Sequence, residues 1–317
     1  MFINMEKSVE TGKIVIVHDS ASSLPENMRI TKYGGLIEVP LTITVTTDNK
    51  NKEWTDSPFK SDDERNKFLD GMRIGKVSTS QPNPGTYMSV YKDIIRNGIT
   101  EIAVIPTSSQ LSGSMNAAKL AAQELKNEAN IAVADCKTVS IGQGLIVTQA
   151  DIENKKGSFK NATELVNRVE GLSKELYLAQ AFSSLEFLKK GGRIGPAAIF
   201  LAGVLSKISL DIIPIIGVNT EGQLKPIDKK IGWRHARESM INYVSKGVGQ
   251  RAVRLAIVYF ESNQLDNLTN EIKGKFVMAT DDNGKEHDIM KCEQSKVLIA
   301  HSGPGVIGLG ALALGKR

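Results

Sequence analysis

Three features of the 317-residue sequence predict an α/β fold in two domains. Short apolar runs alternate with amphipathic helical stretches from Lys13 to about Glu153, the connections between them are short, and the pattern changes afterwards. Repetition of strand, loop and helix calls for a parallel sheet with helices on both faces. The second half reads as α/β with a mixed sheet. Length allows both domains an ordinary core. The expected divisions are a polar leader over 1–12, an N-terminal domain over 13–165 and a C-terminal domain over 166–317. The change of pattern falls between Gly157 and Glu175.

Lys13 to Val17, KIVIV, is the first strand, and HDSASSLP follows with turn residues. Asp19 and Ser20 therefore lie just past a strand's C-terminal end, where open α/β sheets place their ligands. Val39 to Val45 reads as another strand, its alternation broken by Pro40. Ser61 and Glu64 form a capping box opening a helix that carries Phe68, Leu69 and Met72 inward. In VSTSQPNPGTY, Asn83 can cap a helix with Pro84 at its first position. Tyr87, Val90, Tyr91, Ile94 and Ile95 then share one apolar face. Ile102 to Ile105 suits a strand covered on both faces, Pro106 ends it, and a loop of Thr107, Ser108, Ser109, Ser112, Gly113 and Ser114 leads into an alanine-rich helix. Ile131 to Ala134, the loop DCKTVSIGQG and a helix around Leu145 to Glu153 complete the repetition.

Asn161 and Glu164 begin a further helix, and Leu176 to Phe182 can be a strand. LEFLKKGGRIG is a short helix stopped by Gly191 and Gly192, and Ala197 to Leu205 is helical with no polar face. Leu210 to Val218 and Leu224 to Ile231 form a hairpin around Asn219 to Gly222. Helices near Trp233 to Val244 and Leu265 to Ile272 follow, with strands at Leu255 to Phe260, near Asp288 to Met290 and at Lys296 to His301.

Hydrophobic residues at 41% and charged residues at 24% describe a globular chain with a core, not a disordered one. No apolar stretch approaches the ~20 residues that span a bilayer, and the N-terminus lacks the apolar run of a signal peptide, so a cytoplasmic location is expected. Net charge is +5, but the cations are scattered and aromatics are only 5%, which argues against nucleic acid as a partner. Cys136 and Cys292 suggest neither a disulfide framework nor a zinc site, and the four histidines show no metal-ligand spacing.

Three loops can supply donors to one oxyanion. They are Ser78, Thr79 and Ser80; Ser112, Gly113 and Ser114 at a helix start; and HSGPGVIG from His301, whose glycines let the backbone form an anion-holding nest. Neither hydroxyl loop contains a lysine or arginine, which favours a carboxylate over a phosphate. Ala197 to Leu205 can wall an acyl pocket, where each buried CH₂ contributes roughly 0.8 kcal/mol. The motifs of nucleotide binding, zinc proteolysis and serine hydrolysis are absent. His18 with Asp19 is the other acid/base candidate, and a turn-forming Asp explains that pair as well. Arg193 follows a helix end, where a cation also complements the dipole. A second reading keeps the same hydroxyl loops as phosphate cradles of an enzyme acting on a small phosphorylated metabolite.

HDSASSLP, STSQPNPG, TSSQLSGSMNAA, DCKTVS, LEFLKKGGRIG and HSGPG occur in an order that resembles the DegV family of bacterial fatty-acid-binding proteins, over nearly the whole chain. The resemblance implies a two-domain α/β fold holding one long-chain fatty acid buried between the domains, with no other cofactor and no catalysis of its own. It places the carboxylate against Thr79, Ser80, Ser112 with Gly113, and His301. It also implies a fatty acid kinase partner that phosphorylates the bound acid, with Arg193 at the docking surface or pocket wall, and it leaves room for transient contact with a membrane surface. The sequence departs from the family pattern at His18, at Ser22 and Ser23, and at Cys136.

Overall fold

The computed structural model describes residues 14–29, 35–48, 50–193 and 212–315. The first half of the chain runs β1 (Val15–Asp19), α1 (Glu26–Arg29), β2 (Leu36–Val39), β3 (Thr42–Thr47), β4 (Lys50–Thr55), α2 (Asp62–Ile74), β5 (Lys76–Ser80), α3 (Pro84–Arg96), β6 (Glu101–Ile105), α4 (Ser114–Glu124), β7 (Asn130–Val133), α5 (Ile141–Lys155) and α6 (Ala162–Ser173). Four of its strands make a parallel sheet in the order β2-β1-β6-β7. Val15, Val17, Ile102 and Val104 point to one face, against Tyr87, Tyr91 and Ile94 of α3 and the alanines of α4. Ile16, Ala103 and Ile105 point to the other, against α5 and α6. This is the period of two expected of strands buried on both faces.

The helix starts follow local chemistry. Ser61 accepts from the Glu64 N–H at 3.1 Å, Asn83 from Thr86 at 2.9 Å and Asn161 from Glu164 at 2.9 Å, each taking an otherwise orphaned donor. Pro84 sits at the first turn of α3, where its missing N–H costs nothing.

Residues 39–45 are not one strand. Pro40 and Leu41 separate β2, in the parallel sheet, from β3, which lies in a second, antiparallel sheet of order β4-β3-β5. Proline removes a ladder donor, so the chain leaves one sheet there and enters another. The loop expected around Val77 to Ser80 is correspondingly strand β5, paired to β3 with Thr79 opposite Ile43.

The second half runs β8 (Leu176–Phe182), α7 (Glu186–Lys190), β9 (Ile212–Val218), β10 (Leu224–Ile231), α8 (Trp233–Val248), β11 (Ala252–Phe260), α9 (Leu265–Ile272), β12 (Met290–Glu293), α10 (Lys296–Ser302) and β13 (Val306–Leu314). Its six-stranded sheet has the order β10-β9-β8-β13-β11-β12, with β11 and β12 parallel and the remaining neighbours antiparallel, so it is mixed as expected. The wholly apolar stretch from Ala197 to Leu205 lies outside the described residues.

Two elements depart from the sequence reading. Lys296 to His301 is helix, not strand; a short apolar run does not distinguish the two, and Gly303 at φ +70° stops it. The glycine-rich VIGLGALAL, whose first three residues the sequence reading places in the loop HSGPGVIG, is β13, buried between β8 and β11. Its glycines make room: a Cβ on Gly310 would sit 3.1 Å from Leu145 of α5. Through that approach α5 is enclosed, with Ile14 and Ile16 on one side and Leu178, Ala256 and Leu312 in the same cluster on the other. Helix α6 continues through residue 165, where the domains were expected to divide, and packs its Leu165, Val169 and Leu172 with the first sheet.

A Cβ on Gly308 would lie 2.6 Å from Gln180 Cγ and 2.9 Å from Val258 Cγ1. Gly308→Ala should therefore destabilise the protein by about 1–3 kcal/mol through overpacking. Urea unfolding checks this, and an unchanged midpoint would show that the neighbours yield freely.

Candidate functional site

Polar side chains from several elements meet at one cavity of about 750 Å³, counting the space that opens to solvent. Its enclosed part is about 80 Å³. Leu41, Phe182, Leu188, Leu224 and Val297 supply apolar wall, and Thr79, Ser112, Arg193 and His301 also line it.

Thr79 reaches the cavity because β5 alternates. Val77 and Thr79 are half-buried on one face, while Lys76, Ser78 and Ser80 are exposed on the other. Ser80 accordingly does not join Thr79 in the lining. His301 arrives on the last turn of α10, and its Nε2 lies 2.9 Å from Thr79 Oγ1. Its Nδ1 is buried with no partner, against Gly191, where a Cβ would come within 2.1 Å. A proton on Nδ1 would be an orphaned buried donor, so the Nε2–H tautomer is the one the site satisfies. That N–H donates to Thr79 Oγ1 and leaves the Thr79 hydroxyl hydrogen free to donate to a ligand. Burial, with the nearby Arg193 charge, lowers the His301 pKa to about 4, so the ring is neutral at pH 7.

Ser112 precedes α4, whose N-cap is Gly113 with no side-chain cap. Its Oγ lies 2.9 Å from Ser114 Oγ and accepts the Ser114 N–H at 3.2 Å. Gly113 lies outside the lining and admits Gln81, whose Nε2 would be 2.5 Å from a Cβ there. Arg193 donates to the Gly191 carbonyl at 2.8 Å, is exposed, and pairs with no carboxylate among the described residues. Its charge stands at the cavity wall.

The turn after His301 does not form the expected anion nest. Gly303 and Gly305, at φ +70° and +78°, let the backbone lie against Phe187 and Ser183, where a Cβ would come within 2.3 and 2.5 Å. Sequence reading also missed Gln81, Ser140, Gln180 and Gln294 in the lining. Ser140 carries no local signal of its role. It has φ 60° and ψ −145°, a conformation rare outside glycine, and its Oγ accepts from Gln180 Nε2 at 3.1 Å. His18 and Asp19 are wholly buried, outside the lining and engaged in internal hydrogen bonds. Among the described residues no cluster of three or more His, Cys, Asp or Glu is placed to hold a metal ion. Nor is any helix there long and apolar enough to cross a membrane.

Known proteins share this architecture. A DegV domain-containing protein of Clostridium acetobutylicum is 27% identical over 94% of this chain and 98% of its own. Another, from Caldanaerobacter subterraneus, is 31% identical over 73% of this chain and 76% of its own. Among solved structures, a fatty-acid-binding DegV family protein of Thermus thermophilus superposes with a TM-score of 0.80 at 24% identity, covering 95% of this chain and 100% of that one. The fatty acid kinase (Fak) B3 protein of Streptococcus pneumoniae, loaded with linoleic acid, gives 0.75 at 19% identity, covering 95% and 100%. The profile of the family described as "uncharacterised protein, DegV family" matches residues 13–314, and with that span the chain belongs to the DegV family.

Proposed function

We propose that this protein binds one long-chain fatty acid in the cavity, its carboxylate against Thr79, Ser112 and His301 on the side of Arg193. One observation carries the reading: a cavity with apolar walls has a threonine–histidine pair and a guanidinium in its lining. The ring is neutral, the remaining donors are hydroxyls, and Arg193 is the one cation among the described lining residues. That set balances a singly charged carboxylate better than a phosphate dianion. Each methylene laid along the walls adds roughly 0.8 kcal/mol, so affinity comes mainly from the tail and orientation from the head.

We further propose that the bound acid is presented to a fatty acid kinase, with Arg193 near the docking surface. Support comes from the fatty acid kinase neighbour and from the exposure of Arg193 beside the cavity. The chain itself supplies no nucleotide-binding motif and acts as carrier. In the bound state Ser112 would turn its hydroxyl from Ser114 to the ligand.

Native mass spectrometry of the purified protein, followed by lipid extraction, should find one acyl chain per molecule. Absence of any acyl chain together with failure to take up palmitate or oleate would sink the reading. Ser112→Ala should weaken binding about tenfold, the loss of one hydrogen bond of about 1.4 kcal/mol, and His301→Leu should weaken it too because the Thr79 hydroxyl is no longer oriented, while Ser80→Ala should stay within about twofold.

The His301 shift has a definite sign. Its folded pKa lies below the unfolded value, so the buried neutral ring contributes stability above about 6.5 that is lost as pH falls toward 4. A carboxylate beside the ring favours the imidazolium and should move the midpoint upward. NMR titration of His301 with and without oleate measures this, and an unmoved midpoint at saturation would put the carboxylate elsewhere.

A further inference from the structure

Helix α5 gives the two halves a common core, so ligand exchange by wholesale separation of the domains would expose buried surface on both sides of it. Exchange through motion at an edge disturbs far less, and one edge is fastened by a specific contact. The turn between β9 and β10 is internally braced: Gly222 N–H donates to the Asn219 carbonyl at 3.0 Å, and Gln223 N–H to Asn219 Oδ1 at 2.8 Å. At its tip the Gly222 carbonyl accepts from Ser108 Oγ, across to the first half of the chain, at 2.8 Å. Gly222 has φ +93°, and a Cβ there would lie 2.3 Å from Ser108 Oγ and 3.1 Å from Lys137 Cα. The approach therefore requires glycine.

Ser108 is buried and spends all its groups on this junction. Its N–H donates to the Thr138 carbonyl at 2.9 Å, and its own carbonyl accepts from Leu111 and Ser112, both at 3.0 Å. Leu111 and Ser112 line the cavity from one side of the contact, and Leu224, two residues past Gly222, lines it from the other.

We infer that the Ser108–Gly222 hydrogen bond is a strap that couples closure of the β9–β10 hairpin over the cavity to the positioning of Ser112. While it is made, Leu224 and Leu111 stay in the wall and Ser112 is held by the Ser108 carbonyl. When it breaks, the wall opens on that side and the headgroup donor loosens with it. The identity of the ligand rests on the fatty acid reading above; the strap itself does not.

In the full chain, Ser108→Ala should speed release of preloaded cis-parinaric acid about tenfold, and Ser108→Thr, which keeps the hydroxyl, should return it toward wild type. Release unchanged by Ser108→Ala would overturn the strap as a gate. Separately, Ser108→Ala should speed hydrogen exchange at the Leu111 and Ser112 amides about tenfold, and Ser108→Thr, which keeps the hydroxyl, should return it toward wild type. Exchange unchanged by Ser108→Ala would overturn the coupling. If the wild-type protein takes up no fatty acid, the ligand reading fails and the amide exchange alone decides the strap.

Discussion

The buried carboxylate of Asp19 is the interaction on which the site depends. It lies at the end of β1 with no exposure and accepts from the Thr107 N–H at 2.9 Å and from Gln143 Nε2 at 3.0 Å. These donors come from the loop after β6 and the head of α5. Parallel strands all finish at one edge, so their loops converge there and leave several donors needing an acceptor. Burial pushes the Asp19 pKa up, and the donors, Gln143 first among them, pull it back. A single acidic side chain thus gathers two connections, one of which carries Ser112. His18 beside it is structural: its Nε2 lies 3.1 Å from the Arg29 carbonyl and its Nδ1 3.2 Å from Ser22 Oγ, and burial lowers its pKa.

A similar arrangement holds His301 from the opposite end of its helix. Asp56, also buried, takes the Val297 N–H at the head of α10 at 3.2 Å and the Ser20 hydroxyl at 2.6 Å, while burial raises its pKa to about 7. The next residue inward, Lys296, is 2% exposed on its side chain, bonds Glu64 at 2.6 Å and lies 4.6 Å from the Phe59 ring centre. A seven-residue helix has little stability of its own, so these ties at its start set where the histidine at its end can be.

Much of this was legible in the sequence wherever the cause is local. Ser61, Asn83 and Asn161 announced helix starts because a cap needs only its own next three residues. Thr79, Ser112 and His301 were named from loops that carry hydroxyls, a helix start or a glycine turn, and the fold brings all three to one cavity. What stayed hidden depends on partners far along the chain. Val39 to Val45 looks like one strand until two different sheets claim its ends, and Lys296 to His301 looks like a strand until Asp56, 241 residues from Val297, caps its first turn. Ser80 and Thr79 were indistinguishable as hydroxyls, and only the register of β5 on β3 separates an exposed one from a lining one.

The position of β13 bears on how the chain is made. This strand ends at Leu314, yet it sits between β8 and β11 and closes the surface against which α5 packs. The first sheet can pair its own strands early in synthesis, but α5 lacks part of its packing surface until β13, more than 150 residues further along, takes its place. Until then the growing chain carries a partly bared apolar helix, a burden that falls on the cell's chaperones and not on the ligand.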